Sequence, residues 1–276
     1  MRPRTLGLVL LVMACFAFNS VATRYLVSRA LLDAASITIV RFVAGATMLA
    51  AILAAQGQAR AALPDRRDWT LVLFLGGYAL AIAYGYRYIT AAAGTFVFYA
   101  LVVTTMTLGG ARPGARAIAG SLLALAGVGA LAVGRVEGTT ALGVALLALT
   151  GVAWGAYSLL LRRRGTPLAT NAKAFVGLAL AMPILALVER GALHWTLAGV
   201  LVCAFMGAVT TALAYALWAR VLPELSAIEA GTMQLLVPVL VAGAGVVALG
   251  EPFGIALAVA GALVLAGMAL SVARRA

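Results

Sequence analysis

The sequence predicts an all-α membrane protein of ten transmembrane helices, built as two inverted five-helix repeats around a central cavity. Three observations carry that prediction. Hydrophobic residues fill 64% of the 276 positions and charged ones only 10%, whereas soluble domains carry about 25% charged residues. Apolar runs of about 20 residues, the length that crosses a bilayer, recur ten times with connections too short to hold a soluble domain. The chain also matches itself. Leu6-Gly7-Leu8-Val9-Leu10-Leu11 through Phe18 aligns without gaps on Leu142-Gly143-Val144-Ala145-Leu146-Leu147 through Trp154, Tyr78-Ala79-Leu80 on Tyr215-Ala216-Leu217, and Gly94-Thr95 on Gly231-Thr232. The halves are therefore about 1–137 and 138–276. With five spans in each, the second half enters the membrane from the opposite side.

Taken in order, the runs of the first half lie at 5–27, 35–55, 69–88, 91–109 and 116–134, each bounded by charge, Gly or Pro. The first follows Arg2 and Arg4 and passes Val12-Met13-Ala14-Cys15, which resembles a lipoprotein signal. The repeat argues for retention, because cleavage would remove half of one repeat unit. Arg87 to Thr90 is so short a connection that the third and fourth helices must form a tight hairpin. In the second half the runs lie at 140–161, 170–188, 197–219, 227–249 and 253–272. Thirty glycines suit helices that pack closely through small residues in lipid. Cys15 and Cys203 both fall inside apolar runs, where they pack rather than form a disulfide framework.

The net charge of +12 comes from arginines placed singly or in short clusters between apolar runs, which is loop chemistry and not a nucleic-acid surface. With the N-terminus in the cytoplasm, thirteen of the twenty cations fall in inner segments and five in outer ones, leaving Arg41 and Lys173 within spans. That bias predicts cytoplasmic termini at both ends under the positive-inside rule. Arg-rich short loops suit a bacterial inner membrane.

Enzymatic readings have little to stand on. No Gly-rich segment ends in Gly-Lys-Ser/Thr, so no P-loop is present. Gly243-Ala244-Gly245-Val246-Val247-Ala248 fits a dinucleotide fingerprint only formally, since it lies inside a span with no strand before it. The sole histidine, His194, is expected in a loop, which leaves no nucleophile–base pair and no metal constellation. No cofactor, metal or nucleic acid is expected. Nor is a carboxylate placed at mid-membrane, where a proton-coupled exporter usually needs one. Glu229, at the mouth of the ninth helix, is the remaining candidate, either as a charge partner or as a carboxylate favoured by the helix dipole.

Ten spans without catalytic groups point to movement of a small molecule through the bilayer. Thr150, Trp154, Tyr157 and Ser158 share one stripe of the sixth helix, and Thr211, Tyr215 and Trp218 do likewise on the eighth. The third helix carries Tyr78, the fourth Thr95 and Tyr99, and the first Asn19. Such groups turn toward protein or a wet cavity, because hydrocarbon offers them no partner; interfacial belting and interhelical hydrogen bonding are the alternatives. Depth favours a cavity for Tyr78, Tyr99 and Trp154, whereas Tyr84, Tyr86, Tyr88, Trp69 and Trp195 sit where aromatic belts form. Pro238 in the ninth helix frees the carbonyl of Gln234 beside a side-chain amide, as a ligand site, a bending point or a mere kink. Pro183 bends the seventh helix. Arg41 and Lys173 each lie within two turns of a helix end, either snorkelling to headgroups or drawing an anionic group to a gate.

At Gly94-Thr95 to Pro113, and again at Gly231-Thr232, Pro238, Leu249-Gly250-Glu251-Pro252, Ala260 and Gly267, the chain resembles the drug/metabolite transporter superfamily with its EamA-type repeat. The first repeat departs from the pattern, with Leu101 in the proline slot and Arg112-Pro113 for Glu-Pro. The resemblance spans nearly the whole chain and implies ten helices around a central cavity. Within the superfamily the deep aromatics look most like YddG-type exporters of aromatic amino acids. That likeness implies uncoupled alternating access for aromatic or large neutral amino acids and flat organic cations; separately, a monomer or homodimer is expected. A proton-coupled exporter of drugs or other metabolites is the alternative, and a non-transporting membrane protein a further one.

Overall fold

The structure is a computed structural model and describes residues 3–109, 114–133, 136–162, 166–221, 224, 233–234 and 236–272. Among these residues ten helices form. They are α1 Pro3–Ser28, α2 Ala34–Ala55, α3 Trp69–Gly85, α4 Ala91–Leu108, α5 Ala115–Val133, α6 Ala141–Arg162 and α7 Pro167–Val188. Helix α8 runs Leu197–Phe205, continues as a π-helix over Met206–Leu213 and resumes as Ala214–Val221. Leu236–Leu249 and Ile255–Val272 are α9 and α10. Six helices are long and apolar enough to cross a bilayer, and α3, α5, α9 and α10 are shorter apolar helices. The sequence-derived boundaries agree within three residues except at α9, where 227–232 lie outside the described residues. A four-residue 3-10 turn at Ala59–Ala62 and the π segment were not expected.

Local chemistry accounts for several helix ends. The Asp33 carboxylate accepts from the backbone N–H groups of Ala35 (2.9 Å) and Ser36 (3.0 Å), capping α2. Thr90 and Thr196 cap α4 and α8 in the same way. Gly250, at φ +67°, closes α9 in the left-handed conformation that glycine adopts without a Cβ penalty.

Packing inverts the soluble pattern. Large aliphatic side chains such as Leu73, Leu180, Leu197, Val247 and Ile255 face outward, whereas Asn19, Arg41, Thr95, Asn171 and Thr211 are buried. A lipid surround accepts the former and cannot satisfy the latter. Helix α2 packs on α7, α4 on α9 and α5 on α10; α3 and α4 pack on α6, as α8 and α9 pack on α1. Exchanging each helix for the one five places later carries this pattern into itself. The α5–α10 seam is a backbone-to-backbone approach. A Cβ on Gly127 would lie 2.8 Å from the Ala260 carbonyl oxygen, and one on Gly120 would lie 2.6 Å from that of Gly267.

Candidate functional site

The cavity at the middle of the bundle is lined by Phe16, Asn19 and Ser20 of α1, Tyr78 and Ile82 of α3, Phe98 and Tyr99 of α4, Trp154 of α6 and Tyr215 of α8. Five helices converge on it, and the aromatic rings nearly fill it. Tyr78 and Trp154 stand 4.9 Å apart by ring centroids, Trp154 and Tyr215 5.2 Å, and Phe16 meets Tyr215 edge-on at 5.7 Å. The volume left is about 20 Å³, enough for a single water. With so little free volume, a larger solute fits only as the rings and helices separate.

The polar edge of the cavity is organised by the π segment of α8. Its wider i→i+5 ladder turns consecutive residues to different neighbours. Thr210 donates to the Asn19 side-chain oxygen at 2.6 Å while the Asn19 amide donates to the Thr210 carbonyl at 3.0 Å. Thr211 accepts from Arg41 Nε at 3.2 Å. Gly207 permits the approach, since a Cβ there would collide with the Arg41 backbone.

Arg41 corrects an expectation. Instead of snorkelling to a helix end, it is 1% exposed and turned into the bundle. Its Nη2 donates to the Tyr78 hydroxyl at 3.0 Å, and its guanidinium carbon lies 5.3 Å from the Phe42 ring centroid and 5.6 Å from that of Tyr78. Helix azimuth decides this: α2 presents its Arg41 face to α3 and α8 rather than to lipid. Lys173 does not reach for headgroups either. It pairs with Asp65 (3.3 Å) and Asp68 (3.2 Å) at the start of α3.

The other sequence candidates divide clearly. Asn19, Tyr78, Tyr99, Trp154 and Tyr215 come together on the cavity wall. Tyr157 lies behind Trp154, stacked at 5.5 Å, and donates to Asn171 at 2.6 Å. Thr211 is fully buried beside Arg41 and does not line the cavity, nor does Gln234. Pro183 lies inside a continuous α7 with its ring exposed. Pro238 is buried in α9, and Met233 and Gln234 ahead of it are helical as well. Glu229 lies outside the described residues. Phe16, Ile82 and Phe98 escaped the sequence reading because, in an apolar chain, nothing distinguishes an inward aromatic or aliphatic side chain from an outward one; Ser20 was missed although its hydroxyl, next to Asn19 in an apolar run, carries the same signal as that amide.

A second polar cluster closes the end of the bundle where α1 finishes. Arg24 Nε bonds Glu251 Oε1 at 2.7 Å, and its Nη1 donates to the Tyr86 carbonyl at 2.7 Å. Glu251 Oε2 accepts from the Ala91 N–H, also at 2.7 Å, placing a carboxylate at the positive end of α4. The left-handed Gly250 turns Glu251 back toward this point, and the Glu251 N–H bonds the Gly245 carbonyl. At the opposite end Thr5 donates to Glu224 at 2.6 Å. Among the described residues no group of three His, Cys, Asp or Glu side chains is positioned to hold a metal ion.

Residues 141–273 match the EamA-like transporter family. A Pseudomonas aeruginosa protein named "Uncharacterized protein PA1977" is 38% identical over 276 residues, covering 99% of this chain and 96% of its own. A solved crystal structure, titled only "Crystal structure of protein", superposes with a TM-score of 0.67 at 20% identity, over 98% of this chain and 96% of that one. That likeness speaks to the fold alone.

Proposed function

We propose that this chain, which belongs to the EamA-like transporter family, exports aromatic or large neutral amino acids across a bacterial inner membrane. The two halves would rock as inverted repeats about the central cavity, with both termini in the cytoplasm. The observation that carries this reading is the closure of Tyr78, Phe98, Tyr99, Trp154 and Tyr215 on one small cavity at mid-bundle. When the helices part, these rings offer faces for stacking and edges for T-shaped contact. Asn19 and Ser20 supply hydrogen-bonding groups at one side.

Stacking alone would admit flat organic cations as well. The buried Arg41 guanidinium, one hydrogen bond behind Tyr78, weighs against them. Among the described residues no carboxylate lines the cavity, which supports flux without a proton relay.

Purified full-length protein in proteoliposomes tests the reading by counterflow of labelled tryptophan, phenylalanine, threonine and a flat dication, with and without a pH gradient. The expected result is tryptophan and phenylalanine exchange well ahead of threonine, no dication exchange, and no response to the gradient. Exchange of threonine alone would overturn the aromatic reading. Acceleration by the gradient would replace uncoupled export with proton coupling and direct attention to Glu229.

A further inference from the structure

We propose that the Arg41–Tyr78 pair sets a charge rule for this cavity: its solutes carry a carboxylate, held by the guanidinium and the phenol, and amines that lack one are refused. This rests on the reading of the cavity as the transport site, and it names the chemical class that site takes.

Arg41 is a cation with no counter-ion among the described residues. Arg41 is 1% exposed, and its partners are the neutral Tyr78 and Thr211 hydroxyls. Ion pairs join Arg24 to Glu251 and Lys173 to Asp65 and Asp68, and neither set reaches Arg41. A guanidinium carries five N–H donors, and two are engaged here. It does not shed its proton inside a protein. Burying such a charge costs several kcal/mol even after relaxation; the aromatic faces of Phe42 and Tyr78 offset only part of this. An anion that visits the bundle supplies the remainder.

Tyr78 connects this charge to the cavity. Its ring forms part of the wall, and its oxygen accepts from Arg41. The phenolic O–H has no acceptor among the described residues and is polarised by the guanidinium behind it. Tyr99 and Tyr215, 4% and 6% exposed, line the same cavity, and their hydroxyls likewise bond no described residue. Three buried phenols of this wall, with the Arg41 guanidinium behind one of them, thus surround a space that has no carboxylate among its described lining residues. Hydrogen bonds to a charged acceptor are about twice as strong as neutral ones, and low-dielectric surroundings strengthen both the attraction for an anion and the repulsion of a bare ammonium. The ammonium of a zwitterion is tolerated because its own carboxylate neutralises the site, with Asn19 and Ser20 near enough to share it.

The test is ligand-induced stabilisation of the purified full-length protein, read as a shift in unfolding temperature. Two matched trios are compared: phenylalanine, phenylpropionate and phenethylamine; norleucine, hexanoate and hexylamine. The expected result is stabilisation by the amino acid and the acid of a trio, with the amine weaker by about tenfold or more in affinity. Arg41→Gln is expected to erase that preference. Should this variant fail to fold, Tyr78→Phe keeps the ring and the cation, and lowers acid affinity by about tenfold. Equal binding of acid and amine by the unmodified protein, a preference that survives Arg41→Gln, or no binding by any compound would overturn the proposal. Acid preference confined to the aliphatic trio would sustain the charge rule while defeating the aromatic reading. Aromatic compounds that all bind alike would do the reverse.

Discussion

Arg24 and Arg41 are both withdrawn from solvent, yet they are compensated in opposite ways. Arg24 lies at the end of the bundle, its side chain 17% exposed, in contact with Glu251 at 10% and with a backbone carbonyl. Arg41 is 1% exposed and, among the described residues, its guanidinium meets hydroxyls and aromatic faces. A charge whose counter-ion belongs to the same chain ties helices together: the Arg24–Glu251 pair joins α1, the α3–α4 turn and the end of α9. A charge without such a counter-ion contributes little to holding the fold and leaves a standing field at the cavity. The contrast separates a structural arginine from one available to a solute.

The largest effect expected from this contrast is at the paired site. Glu251→Gln or Arg24→Met leaves one buried charge uncompensated and is expected to cost about 3–5 kcal/mol, measured by denaturation of the purified protein. The double variant Arg24→Met/Glu251→Gln should lose less than either single one, and a loss equal to the sum of the two single losses would show that the pair is not coupled. Trp154→Ala, which opens a hole in the ring cluster, should cost about 3 kcal/mol and abolish solute counterflow, while Trp154→Phe restores part of both. Arg41→Met should be neutral or stabilising by about 1 kcal/mol, because a buried charge gives way to apolar packing, yet it should lose carboxylate binding. A loss of stability as large as that of Arg24→Met would erase the distinction between the two arginines.

The smallest effect belongs to Asp33, a carboxylate outside the spans. Burial raises its pKa, but bonds from the Ser36 hydroxyl and from the N–H groups of His194, Ser36 and Ala35 outweigh this and hold it below its ordinary value of 3.8. Its contribution is therefore complete above pH 3.8 and fades as pH falls through the lowered folded-state value. Asp33→Ala should cost about 1 kcal/mol at neutral pH and flatten the stability profile in that acid range only.

Much of the fold was legible because hydrocarbon imposes a length on every apolar run and a partner on every polar group. That is why helix limits such as Ala34–Ala55 or Ala91–Leu108 could be read within a residue or so, and why Tyr78, Tyr99 and Trp154 could be assigned to an interior by depth alone. Arg41 and Lys173 looked alike in sequence, each a lone cation near a helix end, and the structure sends one into the bundle and the other to Asp65 and Asp68. The π segment of α8 left no mark either, since Met206–Leu213 has the composition of its neighbours.

By itself the sequence determined the number of helices and, α9 apart, their limits to within three residues, since these depend on distance along a helix axis. Tertiary structure alone decided which way each helix is rotated, which cations meet carboxylates and how closely the rings shut. Those depend on packing between segments far apart in the chain, such as Asn19 with Thr210 or Arg24 with Glu251, and composition along one helix carries no record of its neighbour's face.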